Sequence, residues 1–77
     1  MDRNMRDIVE IRDSGGILRL SDGSTFRVDP FDLPEVNRWS TNSEIELAET
    51  RDCVFNYTLT NRDMGAWIRA TKLPQHN

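Results

Sequence analysis

The chain has 77 residues, ten of them basic and thirteen acidic, for a formal net charge of −3, and this length suits one small domain. Leu, Ile, Val and Phe number 18, just above the roughly one-fifth level at which disorder becomes the default, so a folded domain with a small core is expected. A pI near 5.0 argues against a broad electrostatic grip on nucleic acid. No apolar run approaches the roughly 20 residues that span a bilayer.

The single cysteine, Cys53, cannot close an internal disulfide, and Met1 to Asp7 is polar with no apolar stretch after it. Both features point to a cytoplasmic protein. Cys53 and the single histidine, His76, are too few to build a zinc cage of the usual Cys/His type. Residues 1–7 and 72–77 read as frayed ends around an ordered core of about 8–71.

Between the ends, apolar residues alternate in short runs separated by turn residues, which is the period of strands. The first run, about Ile8–Arg12, is expected to bury Val9 and Ile11. The second, about Ile17–Leu20, buries Leu18 and Leu20. Pairing Ile11 with Leu18 leaves Ser14-Gly15 as the turn, with Val9 opposite Leu20. In the next connection, a three-residue loop, Ser21-Asp22-Gly23, sets Leu18 across from Phe26. It also keeps Leu20, Phe26 and Val28 on one face, with Gly23 left-handed.

Asp29 to Trp39 breaks the alternation. Asp32-Leu33-Pro34-Glu35 has the spacing of a capping box, and Val36 and Trp39 stand three apart. A short helix near residues 33–39 follows, with both apolar residues covering one end of the core. A fourth strand, about Glu44–Ala48, buries Ile45 and Leu47. A fifth, about Cys53–Thr60, buries Cys53, Phe55, Tyr57 and Leu59. The last, about Ala66–Ala70, follows a four-residue loop from Arg62 to Gly65. That loop sets Leu59 against Ile68 and Tyr57 against Ala70, and it turns Trp67 and Arg69 outward beside Thr58 and Thr60.

The expected fold is all-β: a small antiparallel barrel of five to six short strands with one helical turn, SH3-like first and OB-like second. Closing the sheet would remove its exposed edges. The stretch Leu20-Ser21-Asp22-Gly23-Ser24-Thr25-Phe26-Arg27-Val28-Asp29-Pro30, followed by Val36 and Trp39, resembles a family of small uncharacterised bacterial β-barrel proteins. So does Tyr57-Thr58-Leu59-Thr60-Asn61-Arg62-Asp63-Met64-Gly65. The likeness covers about residues 15–70. It implies a compact β domain from a bacterium and no particular chemistry.

Catalytic constellations are sparse. Cys53 falls on the apolar face, away from His76. Glu44 and Glu46 share a strand face, and Glu49 and Asp52 follow in the loop. They read as a solvated acidic face rather than paired acid–base groups. Gly15-Gly16 lacks the rest of a phosphate loop, and Asn56-Tyr57-Thr58 matches a glycosylation sequon by chance. No enzyme activity and no cofactor are expected.

Outward Trp67, with Arg69 beside it and Arg62 in the adjoining loop, is the strongest candidate binding surface. Arg19 and Arg27 project outward from the preceding strands. Aromatic and Arg side chains anchor protein interfaces. The expected function is therefore a non-catalytic interaction module that docks a protein partner or its own copy. The alternative is a nucleic-acid binder in which the arginines meet phosphates and Trp67 stacks on a base.

Overall fold

The computed structural model describes residues 5–74. Six strands form one closed antiparallel barrel: β1 (Met5–Arg12), β2 (Ile17–Leu20), β3 (Thr25–Val28), β4 (Glu44–Glu49), β5 (Tyr57–Asn61) and β6 (Ala66–Lys72). Around the wall their order is β1-β2-β3-β6-β5-β4, two three-stranded meanders joined along both edges. A 3-10 turn (Pro30–Asp32) and the single helical turn α1 (Leu33–Val36) lie in the crossover between the meanders.

Most of the registers expected from alternation are present. Ile11 pairs with Leu18, Leu18 with Phe26, Leu59 with Ile68 and Tyr57 with Ala70. The turns follow from backbone chemistry. Asp13, Ser14 and Gly15 all have positive φ, and the Gly16 N–H donates to the Asp13 carbonyl at 3.0 Å. In the second hairpin Gly23 has φ of 91°, and its N–H donates to the Leu20 carbonyl at 2.9 Å.

The first strand departs from strict alternation. Ile8, not Val9, lies opposite Leu20, because a bulge intervenes between Ile8 and Glu10. Ile8 is fully buried and Val9 is 48% exposed. The bulge sits where β1 changes neighbours: Met5–Asp7 pair with β4, and the residues from Ile8 onward pair with β2. An extra residue bends a strand and increases its twist, which suits a strand that must serve both sides of a corner. Met5–Asp7 and Lys72 are thus paired strand residues rather than frayed ends; residues 1–4 and 75–77 lie outside the described residues.

The helical turn is shorter than expected, and its expected capping box does not form. Asp32 makes no side-chain cap to α1. Its Oδ2 instead accepts from the Arg69 N–H at 2.8 Å. Asp29 does the capping one turn earlier, accepting from the Phe31 N–H at 3.0 Å. Glu35 is turned toward Trp39, whose indole N–H donates to Glu35 Oε2 at 3.0 Å. The cover is as anticipated: Val36 and Trp39 are both buried. With Leu33 and Ile11 packed against them, they plug the end of the barrel that holds the β1–β2 turn.

The fifth strand starts at Tyr57, four residues later than the alternation suggests. Asp52 captures the preceding backbone, its Oδ1 accepting from the Val54 and Phe55 N–H groups at 2.7 and 2.8 Å. A side chain that satisfies local donors competes with the sheet ladder. Cys53 is therefore exposed, contrary to the expectation of burial, and Phe55 is only half-buried.

Candidate functional site

Four features of the structure carry groups that bind or react. The first is the outer wall of β5 and β6 near the plugged end. Cross-strand pairing places Glu46, Thr60 and Trp67 in one row, and Ala48, Thr58 and Arg69 in the next. Trp67 projects outward with 59% of its surface exposed. Two further apolar side chains stand on adjacent segments. Met64 lies in the β5–β6 turn and is 40% exposed, and Phe31 lies on the 3-10 turn and is 91% exposed. The Phe31 turn is tied to β6: the Asp29 N–H donates to the Arg69 carbonyl at 2.9 Å and the Arg69 N–H donates to Asp32.

Phe31 and Met64 were not singled out from the sequence. A usable signal exists at Phe31. An Asp two residues before an aromatic, with Pro between, fixes a side-chain-capped turn, and a turn outside the wall cannot direct its aromatic into the barrel.

The four expected arginines are present on the outer wall, but three of them already face carboxylates. Arg62 Nη1 lies 2.9 Å from Glu46 Oε1. Arg69 Nε lies 3.8 Å from Asp29 Oδ2, and Asp29 is almost fully buried. Arg69 also acts on Asp52 across the loop. The Asp52 carboxyl is held below its ordinary range by the Phe55 and Val54 N–H groups, and the Arg69 charge adds to that effect. Arg19 Nη1 is 3.9 Å from Glu10 Oε1. Arg27 pairs with Thr71, one outward position from Arg69, and it alone of the four has no ion-pair partner among the described residues.

Arg27 lines the second feature, a shallow depression of about 360 Å³ floored by Ile17, Val28, Pro30 and Leu33. The third is the open end of the barrel, a hollow of about 390 Å³. Phe26 and Tyr57 meet there edge to face, with ring centres 5.3 Å apart. Around it the Arg6 Nε donates to Asp22 Oδ2 at 2.8 Å, and the Asp22 Oδ1 accepts from the Ser24 hydroxyl. Partial burial works against ionisation of Asp22. Hydrogen bonds from Ser24 and Arg6 outweigh it and hold the carboxyl down at about 2. The Tyr57 hydroxyl is pushed the other way, by burial and by the Glu49 carboxylate that it faces.

The fourth is Asn61, fully buried at the end of β5. Its Oδ1 accepts from the Asp63 and Met64 N–H groups and so shapes the β5–β6 turn, while its Nδ2 has no partner. Among the described residues no group of three or more His, Cys, Asp or Glu side chains is placed to hold a metal ion. No helix among them is long and apolar enough to cross a membrane. Comparison with family models, with curated proteins and with solved structures finds no match for this chain.

Proposed function

We propose that this barrel is a non-catalytic interaction module, of the SH3-like kind its motifs resemble, which docks a protein surface through Trp67. The observation that carries this reading is the company Trp67 keeps. A tryptophan more than half exposed shares this wall with exposed Phe31, on the turn bonded to β6, and exposed Met64, in the turn leading into β6, and ion pairs flank it on the outer wall. An apolar centre whose neighbouring arginines are already paired suits a protein partner, since a buried aromatic anchor supplies the affinity and the rim excludes water. The same pairing counts against the nucleic-acid reading. Arg62, Arg69 and Arg19 would each have to leave a carboxylate to meet a phosphate, and the chain is acidic overall.

The test is Trp67→Ala. Its side chain is outward, so the fold should survive, with an unchanged far-ultraviolet spectrum. Self-association by sedimentation velocity, and capture of binding proteins compared side by side with wild type, should fall by at least about tenfold, as for an interface anchor. Equal association by the variant would remove the proposal. Salt-sensitive binding of single-stranded oligonucleotides that needs Arg27 and Arg69 would replace it with the second reading.

A further inference from the structure

The barrel is closed, yet its closure has a gap beside Trp67. β3 has four residues and β6 has seven, so β3 pairs with only the last part of β6, from Ala70 to Lys72. The backbone groups of a strand point alternately to its two neighbours. Arg69 directs both of its groups toward the β3 side: its carbonyl accepts from the Asp29 N–H, and its N–H donates to Asp32 Oδ2. Leu73 does the same, its N–H donating to the Thr25 carbonyl at 2.8 Å. By the same alternation the Trp67 N–H and C=O point to the β3 side, where β3 has ended and the Asp32 carboxylate is the last group in line. Its partner across β5, Thr60, sits at a position that exchanges no ladder bonds with it. Among the described residues no turn, loop or side-chain group hydrogen-bonds to either Trp67 backbone group.

We infer that this one-residue gap is a docking point for an extended peptide segment, which pairs its backbone with the Trp67 N–H and C=O while a side chain lies against the indole. This deepens the reading above and rests on it, because it specifies how the partner reaches Trp67. An unpaired donor and acceptor on a sheet edge are the template for strand addition. Charge decides which segment fits. Around the gap, Glu46 and Asp29 are matched by Arg62 and Arg69, while Asp32 and Asp63 exceed the one remaining cation, Arg27, so a basic segment is favoured and an acidic one is repelled.

Hydrogen exchange on the free wild-type protein tests the gap without any partner. The Trp67 amide should exchange at nearly the rate of an unstructured chain. The Ile68 and Ala70 amides, which face β5, should exchange at least about a hundredfold more slowly. A Trp67 amide protected as well as that of Ile68 overturns the inference and leaves the Trp67→Ala test of the broader reading untouched.

The second arm uses a capped hexapeptide of alternating Val and Lys. At millimolar concentration it should slow Trp67 amide exchange by about tenfold or more and should shift the Trp67 and Arg69 resonances. The alternating Val and Glu counterpart should bind at least about tenfold more weakly, and a backbone N-methylated version should not protect the amide. Absence of protection by the Val and Lys peptide, or equal protection by its N-methylated form, would likewise overturn it.

Discussion

The β1–β2 turn seats the helical turn, and this can be measured with one methyl group. Gly15 has φ of 95°, and a Cβ built there would lie 3.1 Å from Val36 Cγ1 and 3.3 Å from Asn37 Oδ1. Val36 is 1% exposed and has nowhere to go. Gly65 has φ of 71° and nothing within 4 Å of an added Cβ. Both Gly→Ala changes carry the left-handed backbone cost of about 1–2 kcal/mol. Only Gly15→Ala adds the cost of overfilling a packed contact, about 1–3 kcal/mol. The expected losses are therefore about 2–5 kcal/mol for Gly15→Ala and about 1–2 kcal/mol for Gly65→Ala. In a domain of this size each kcal/mol lowers Tm by about 4–8 °C. Urea unfolding followed by circular dichroism reads both losses, and the same Gly15→Ala change in a Val36→Ala background should cost about as little as Gly65→Ala. Equal losses for the two single variants, or no rescue by Val36→Ala, would refute the seating of α1 on this turn.

Two further outcomes follow from burial and charge. Ile8→Ala should cost about 2–5 kcal/mol and Val9→Ala no more than about 0.5 kcal/mol, the reverse of what strict alternation implies; equilibrium unfolding of the pair checks the bulge. Asp22 has its carboxyl lowered from 3.8 to about 2, so it favours the folded state at full strength above pH ~4, and that contribution is lost as the pH falls toward 2. Its side chain is 35% exposed, and solvent screening reduces the gain to about 1 kcal/mol. Urea midpoints of wild type and Asp22→Asn should therefore differ at pH 5 and converge near pH 2, apart from any constant offset from lost hydrogen bonds.

Alternation exposed the barrel in the sequence because core-facing strand residues take turns with outward polar ones, as in Leu18-Arg19-Leu20 and Phe26-Arg27-Val28. Turn chemistry then fixed three of the registers. Alternation misled at Val9, where one inserted residue reverses which side chains face inward while the apolar run Ile8-Val9 hides the change. It misled again at Cys53 and Phe55. Their spacing imitates a strand, but Asp52 binds the backbone locally and keeps both out of the ladder. Trp67 was legible as an outward aromatic from the β5–β6 register alone. Its unfilled hydrogen-bond positions were not, because they depend on β3 stopping short of the start of β6. That is a difference in length between strands forty residues apart, and no local pattern records it.

The bulge in β1 has a consequence for how this wall comes to be continuous. One strand serves two neighbours in succession, and Val9 is the surplus link that lets it bend from one to the other. A chain with regular pairing throughout that segment would run straight past the bend. It would leave a flatter, unsealed ribbon whose two long borders are free to stick to other chains. Closure of the wall thus depends on a residue that contributes almost nothing to the interior.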